Sequence, residues 1–167
     1  MSTSPVTNDH LTAFGMYVHV HASLENALQM VIAGVLRTDP GSAIITTASM
    51  TAKARRDLAL SLIHLREERG FEIGSLRTLV EQTDNFTKLR TYICHGTWVA
   101  GRKPNTIKPQ WIMAKGQIKL LGAEHNEKEY TAIEIEERAL KMDALKLKIA
   151  EELNRLHLLD AFENLPD

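Results

Sequence analysis

Arg90 and His95, an arginine and a histidine five residues apart, are the pair in this sequence whose side chains best fit a chemical reaction. Histidine gains and loses a proton near neutral pH, so it suits general acid or base catalysis. A guanidinium can hold two phosphate oxygens with its planar fork and stabilise a crowded, negatively charged transition state. Together the two residue types suit attack of an RNA 2′-hydroxyl on the adjacent phosphorus, which is a cleavage that needs no metal ion.

The spacing alone is weak evidence, because a chain of 167 residues with seven histidines contains such pairs by chance. On an ideal helix, five residues turn by about 500°, so the two side chains point about 140° apart. They converge only if His95 lies on the last, unwinding turn of a helix, or if two copies of the chain meet. Gly96 favours the first arrangement, and we expect it to form a left-handed cap at the end of the helix.

The sequence around the pair is basic. Residues 85–122 carry seven basic residues and no carboxylate, whereas residues 123–167 carry six basic and twelve acidic residues. The whole chain has a formal charge of −1, which excludes a uniformly basic nucleic-acid-binding protein. The basic segment therefore predicts a surface for a polyanion, or alternatively a loop that complements an acidic last helix.

Further side chains are candidates for holding a nucleic-acid strand beside the pair. A cation or hydroxyl can orient the strand and an aromatic ring can stack a base; the candidates are Lys88, Thr91, Tyr92, Trp98, Arg102 and Lys103. Glu25, one turn after His21 on the first predicted helix, could reach the same cleft, although a contact within its own helix is the plainer interpretation. Structural roles for the pair also stay open, with Arg90 bound to an acidic residue and His95 to a backbone carbonyl.

Apolar spacing predicts the elements that must position these residues. Apolar residues three or four apart mark one buried face in each of four predicted helices, at 14–36, 42–69, 75–94 and 132–156. Ser42 is the predicted cap of the second helix, and a break in the third near Thr83 is left open. Thr131 and Glu134 form a predicted capping box before the last helix. Between the last two helices, residues 111–121 predict a β-hairpin that pairs Trp111 with Leu120 and Met113 with Ile118.

The domain organisation expected from these patterns is a single mainly α-helical domain over residues 13–160. It contains a four-helix bundle, with residues 105–124 as a small β-hairpin insertion before the last helix. Residues 1–12 are predicted to be a disordered N-terminal tail, and residues 161–167 a C-terminal tail. Cys94 is the only cysteine, which excludes an intrachain disulfide, and we expect it to be a small buried apolar residue.

Long apolar stretches and sets of metal ligands are absent from the sequence, which predicts a soluble, cytoplasmic protein with no membrane association. His19 and His21 lie on diverging faces of the first predicted helix, and a site made of cysteines would need more than one. We therefore expect no metal and no cofactor.

A helical bundle whose third helix ends in Leu-Arg-x-x-x-x-His-Gly, at residues 89–96, with Trp98 shortly after, resembles the HEPN superfamily (higher eukaryotes and prokaryotes nucleotide-binding). The similarity covers roughly residues 14–159. It implies a metal-independent endoribonuclease, in several members a toxin or defence effector, that leaves 2′,3′-cyclic phosphate ends. It also implies a homodimer in which two Arg-x4-6-His motifs share one cleft, with Arg90 and His95 as the catalytic residues here.

Thr91 departs from the pattern of this superfamily, because active members often have Asn, Asp or His directly after the arginine. The alternative function is therefore a non-catalytic HEPN-like interaction module that binds nucleotide, nucleic acid or a partner protein. The expected partners are an RNA substrate, a second copy of the chain, and an antitoxin or another protein.

Overall fold

The computed structural model describes residues 4–114, 117–120 and 128–160. It is mainly helical with a small antiparallel sheet, which confirms the predicted fold class at that level. A 3-10 turn at Thr83–Phe86 separates the helix that ends at Gln82 from the helix that begins at Thr87. The elements, in chain order, are α1 (Asn8–Leu36), α2 (Pro40–Thr47), α3 (Ala52–Glu68), α4 (Gly74–Gln82), α5 (Thr87–His95), β1 (Gly96–Ala100), β2 (Ile107–Ala114), β3 (Gln117–Leu120) and α6 (Ala132–Arg155).

The first helix begins at Asn8, inside the segment that the sequence predicts to be disordered. The backbone N–H of His10 donates to Thr7 Oγ1 and the backbone N–H of Thr7 donates to His10 Nδ1, both at 3.4 Å. This reciprocal arrangement is a capping box in which an imidazole replaces the usual carboxylate. The predicted tail of residues 1–12 is therefore wrong from Asn8 onwards, because the sequence pattern did not identify His10 as a capping residue.

The apolar faces predicted for the two longest helices are confirmed. The predicted face of α1 is buried from Tyr17 to Val35, and that of α6 from Ile135 to Leu153. The capping box before α6 also forms, since the backbone N–H of Thr131 donates to Glu134 Oε2 at 2.9 Å and that of Glu134 donates to Thr131 Oγ1 at 3.1 Å.

The helix predicted over residues 42–69 is two helices, α2 and α3. The cap of α2 is Asp39 rather than Ser42, because the Asp39 carboxylate accepts the backbone N–H of Ser42 at 2.8 Å and Pro40 occupies the first helical position. Thr51 then caps α3. Each helix buries residues one position away from the predicted face, which contained Ile44, Ala48, Leu58 and Leu62. The buried residues are Ala43, Thr47, Ala59 and Ile63.

The sheet has three antiparallel strands in the order β1-β2-β3. The predicted pairing of Trp111 with Leu120 and of Met113 with Ile118 is confirmed, while the turn residues 115 and 116 lie outside the described residues. The insertion starts earlier than the predicted residue 105. Gly96 has an extended backbone (φ −99°, ψ 151°) and begins β1 instead of forming a left-handed cap.

The chain forms two compact units. The first unit comprises residues 1–21 and 86–141, and the second unit comprises residues 22–85 and 142–167. The chain passes between the units at three points, within α1, within the 3-10 turn Thr83–Phe86 and within α6, so neither unit is a continuous stretch of sequence. The sequence predicts one domain over residues 13–160. Within the described residues, no helix is both long enough and apolar enough to cross a membrane. The predicted tail at 161–167 lies outside the described residues.

Candidate functional site

Arg90 and His95 meet at the surface of the first unit. Arg90 lies in the middle of α5, and His95 is the last residue of that helix. Arg90 Nη1 and His95 Nε2 are 3.4 Å apart, and the contact is exposed to solvent. The side chains therefore converge within one chain, which is the arrangement that the spacing allows only where a helix ends.

The direction of this hydrogen bond sets the state of the imidazole. A guanidinium carries only donors, so Arg90 donates and His95 Nε2 accepts. A hydrogen bond in this direction requires that His95 Nε2 carry no proton. At 3.4 Å the bond is long and weak, so Arg90 can exchange it for a ligand oxygen at little cost.

Contacts on both sides of α5 position the pair. At the start of the helix, the buried Tyr17 hydroxyl donates to the backbone carbonyl of Phe86 at 2.9 Å. Burial raises the pKa of the Tyr17 hydroxyl far above its usual value, so this hydroxyl keeps its proton and remains a donor. At the end of the helix, the backbone N–H of Gly96 donates to the carbonyl of Tyr92, and the chain then continues directly into β1. The pair thus lies between a part-buried hydrogen bond at the start of the helix and a strand at its end.

Three residues expected to support the pair on α5 have local roles. The Thr91 hydroxyl donates to the carbonyl of Thr87 in its own helix at 3.0 Å. Tyr92 is 4% exposed, and the Lys88 ammonium lies 5.3 Å from the centre of its ring. The expectation that Tyr92 orients a strand is therefore corrected, because its ring belongs to the core of the first unit.

Trp98 does not present a face for stacking a base. It is 9% exposed, and its ring lies 4.9 Å from that of Phe14 and 6.1 Å from that of Tyr130, measured between ring centres. Its indole N–H is buried and finds no hydrogen-bond partner among the described residues. Cys94, expected to be buried, is exposed. Trp98 is the buried residue of β1, which begins at Gly96.

The loop between β1 and β2 presents the next two candidates, Arg102 and Lys103, with exposed side chains. Their backbone N–H groups donate to the two carboxylate oxygens of Glu129, at 2.8 and 3.2 Å. Sequence reasoning missed Glu129, and no spacing signal could have found it, because it lies 27 and 26 residues from these two donors.

Glu25 belongs to the second unit. Its carboxylate accepts a hydrogen bond of 2.7 Å from Arg55 Nη1, and the Arg55 side chain is 11% exposed. This ion pair gives Glu25 a structural contact within the second unit, and its role beside Arg90 stays a prediction.

Within residues 4–114, 117–120 and 128–160, no group of three or more His, Cys, Asp or Glu side chains is placed to hold a metal ion. Comparisons with protein-family models, with curated proteins and with solved structures give no match for this chain. The chemistry of the site is therefore argued from its own residues. These are a guanidinium and an imidazole in a solvent-exposed contact, within a segment that has no carboxylate from residue 85 to residue 122.

Proposed function

We propose that this protein is a cytoplasmic, metal-independent endoribonuclease with a HEPN-like helical bundle, in which Arg90 and His95 are the catalytic residues. The observation that carries the proposal is the contact between Arg90 Nη1 and His95 Nε2 at 3.4 Å on an exposed surface. A guanidinium and a neutral imidazole together supply what metal-free RNA cleavage needs, a cation for the phosphate and an acceptor for the proton.

The reaction is an internal transfer at phosphorus. His95 Nε2 takes the proton of an RNA 2′-hydroxyl, and the 2′-oxygen forms a bond to the adjacent phosphorus. Arg90 releases Nε2 and donates to two non-bridging phosphate oxygens, where negative charge accumulates in the transition state. The bond from phosphorus to the 5′-oxygen breaks, and that oxygen takes a proton. The products are a 2′,3′-cyclic phosphate and a 5′-hydroxyl.

The proton for the leaving 5′-oxygen requires a second acid. One imidazole cannot accept and donate a proton in the same step, and among the residues that the structure describes the imidazole in contact with Arg90 is that of His95. A homodimer in which two copies of the pair face one cleft supplies a neutral His95 from one copy and a protonated His95 from the other.

The corrected positions of the supporting residues favour a second proposal, a non-catalytic module that binds nucleotide, nucleic acid or a partner protein. The Thr91 hydroxyl is used within its own helix, and both Tyr92 and Trp98 are buried, so fewer groups remain to orient a strand for cleavage. The toxin role and an antitoxin partner implied by the resemblance belong to the first proposal.

The test is incubation of the purified protein with RNA in EDTA, beside Arg90→Ala and His95→Ala. We expect each substitution to reduce the cleavage rate by about 10²-fold or more, the typical contribution of a general base. His64→Ala is the matched control, because His64 is an exposed histidine of the second unit, and it should leave the rate unchanged.

Cleavage that persists in both variants, or that appears only after a divalent metal is added, overturns the proposed mechanism. RNA or nucleotide binding without cleavage by the folded wild type favours the binding module. Light scattering of the wild type at micromolar concentration tests the shared cleft, for which we expect a dimer.

A further inference from the structure

The loop from Gly101 to Thr106 in the first unit surrounds a carboxylate. The consecutive backbone N–H groups of Arg102 and Lys103 point at the two oxygens of Glu129. The Thr106 hydroxyl lies 2.9 Å from Glu129 Oε2 and 2.7 Å from the carbonyl of Lys103, and its single proton can serve only one of them. Successive backbone N–H groups that converge on an anion form the arrangement known as a nest.

The loop closes tightly around this carboxylate. The backbone N–H of Gly101 donates to the carbonyl of Thr106 at 2.8 Å, and Asn105 adopts a left-handed conformation (φ 56°). A Cβ at position 101 would lie 2.8 Å from Glu129 Oε2 and would also clash with the Thr106 side chain. Only glycine therefore allows the loop to approach an anion this closely.

The nest opens onto a cavity of about 480 Å³ with basic side chains at its wall. Arg102, Lys103 and Lys128 line it, together with Glu129 and Glu134. Glu134 is used in the capping box of α6, and its carboxylate also lies 3.7 Å from the Lys128 ammonium. The cavity has the size of a small-ligand site.

Hydrogen bonds from this loop stabilise the ionised form of the Glu129 carboxyl. The backbone N–H of Arg102, followed by the Thr106 hydroxyl and the N–H of Lys103, holds the pKa of the Glu129 carboxyl below its usual value. The site therefore favours an anion over a neutral group. A phosphodiester presents two non-bridging oxygens in the same forked arrangement as a carboxylate.

We propose that the loop at residues 101–106 is a phosphate-binding site, occupied by Glu129 in the free protein and by a phosphate group of an RNA strand when Glu129 moves out. Glu129 is thus an internal competitor that weakens binding until a strand displaces it. The phosphate group itself is inferred from the nest, and only its source in an RNA strand rests on the proposed function.

The test compares Glu129→Gln with Glu137→Gln. The two substitutions change the net charge equally, but Glu137 is an exposed residue of α6 that does not line the cavity. Each protein is titrated with inorganic phosphate and with a short 2′-deoxy oligonucleotide, which cannot be cleaved by 2′-hydroxyl attack. The readouts are the dissociation constant and the amide NMR signals of Arg102 and Lys103.

We expect Glu129→Gln to bind the oligonucleotide about tenfold more tightly than the wild type, because a like charge is removed from the site. The two amide signals should shift on binding, and Glu137→Gln should behave as the wild type. Matching shifts with inorganic phosphate show that the phosphate group alone suffices, and shifts with the oligonucleotide alone show that a strand is needed. The proposal is overturned if Glu129→Gln binds no more tightly than Glu137→Gln, or if binding leaves both amide signals unshifted.

A second pair of variants keeps the test valid if Glu129→Gln does not fold. Lys103→Ala removes an exposed cation at the cavity, whereas Lys141→Ala removes an exposed cation of α6 that does not line it. We expect Lys103→Ala to reduce the salt dependence of oligonucleotide binding by about one unit of the logarithmic slope and Lys141→Ala to leave it unchanged. Equal slopes in the two variants contradict the site. Binding at these amides by a protein that cleaves no RNA overturns the proposed function and leaves this site standing.

Discussion

The two units use their arginines in different ways. In the second unit Arg55 binds Glu25, Arg77 binds Glu67, and Arg66 donates two hydrogen bonds to the carbonyl of Val35. In the first unit Arg90 faces a histidine, and the guanidinium of Arg138 lies 5.6 Å from the centre of the Tyr130 ring. The sequence places ten basic and seven acidic residues in the first unit, and ten basic and fourteen acidic residues in the second.

This difference separates cations that hold the fold from cations that can exchange partners. A guanidinium bound to a carboxylate or carbonyl in a partly buried position is costly to release, because the acceptor is left without its partner. A guanidinium that faces a neutral imidazole or a ring can turn to a phosphate at little cost. For that reason we assign ligand chemistry to the first unit and a mainly structural role to the charges of the second.

The largest expected effect tests whether the aromatic residues of the first unit form a core or a binding surface. Trp98→Ala removes a buried ring that packs on Phe14 and Tyr130, so it should lower the free energy of unfolding by about 4 kcal/mol. Trp98→Phe keeps most of the packing and removes an indole N–H that has no hydrogen-bond partner among the described residues, so it should cost less than about 2 kcal/mol. Urea denaturation measures both. A Trp98→Phe protein that folds as the wild type but loses most of its RNA affinity contradicts the core assignment.

The next prediction compares the loss of stability when one arginine of each unit is replaced by alanine. Arg55 donates to Glu25, to the carbonyl of Thr47 at 3.2 Å and to that of Met50 at 2.9 Å, so Arg55→Ala should cost about 3 kcal/mol of unfolding free energy. Arg90→Ala removes an exposed, long contact and should change the free energy of unfolding by less than about 0.5 kcal/mol. Urea midpoints of the two variants are the measurement. Equal losses from the two substitutions would remove the distinction between the units.

The smallest expected effect is on the pH dependence of folding stability, and it arises from a carboxylate of the second unit. Hydrogen bonds from Arg155 and then from Ser75 lower the pKa of the Glu152 carboxyl from its usual 4.5 to about 2. A lowered pKa means that this carboxylate stabilises the folded state above pH 4.5, and that the stabilisation is lost as the pH falls towards 2. Glu152→Gln should therefore lose less stability than the wild type over this range, by urea denaturation at several pH values. The difference in stability between the two proteins should be modest, because the contacts are exposed to solvent. Identical stability–pH profiles of the wild type and Glu152→Gln would contradict this role of Glu152.

Local patterns predicted much of the fold. The buried faces of α1 and α6, the Thr131–Glu134 capping box and the register of β2 with β3 all depend on residues two to four apart in the chain, or on one short turn. The failures are local too. The caps at Asp39 and Thr51 divide one predicted helix into two, and His10 takes a capping role that sequence patterns assign to glutamate or glutamine.

The candidate site was predicted in part. The spacing identified Arg90 and His95 and stated the condition under which they meet, and α5 ends at the residue that satisfies it. Tyr92 and Trp98 were predicted from residue type alone to contact a nucleic-acid strand, but both rings pack in the core of the first unit. An aromatic side chain serves equally well in a core or on a surface, so its type does not decide between them.

The sequence by itself determined the buried faces of α1 and α6 and the hairpin register, because each follows from the periodicity of neighbouring residues. It also identified, by residue type and spacing, the pair that could do chemistry. Only the tertiary structure decided that Trp98 lies against Phe14, that Glu129 occupies the loop at residues 101–106, and that the boundaries of the units fall within α1, the 3-10 turn and α6. These features join residues far apart in the chain. Their contacts depend on the path of the backbone between them, which short-range periodicity does not encode.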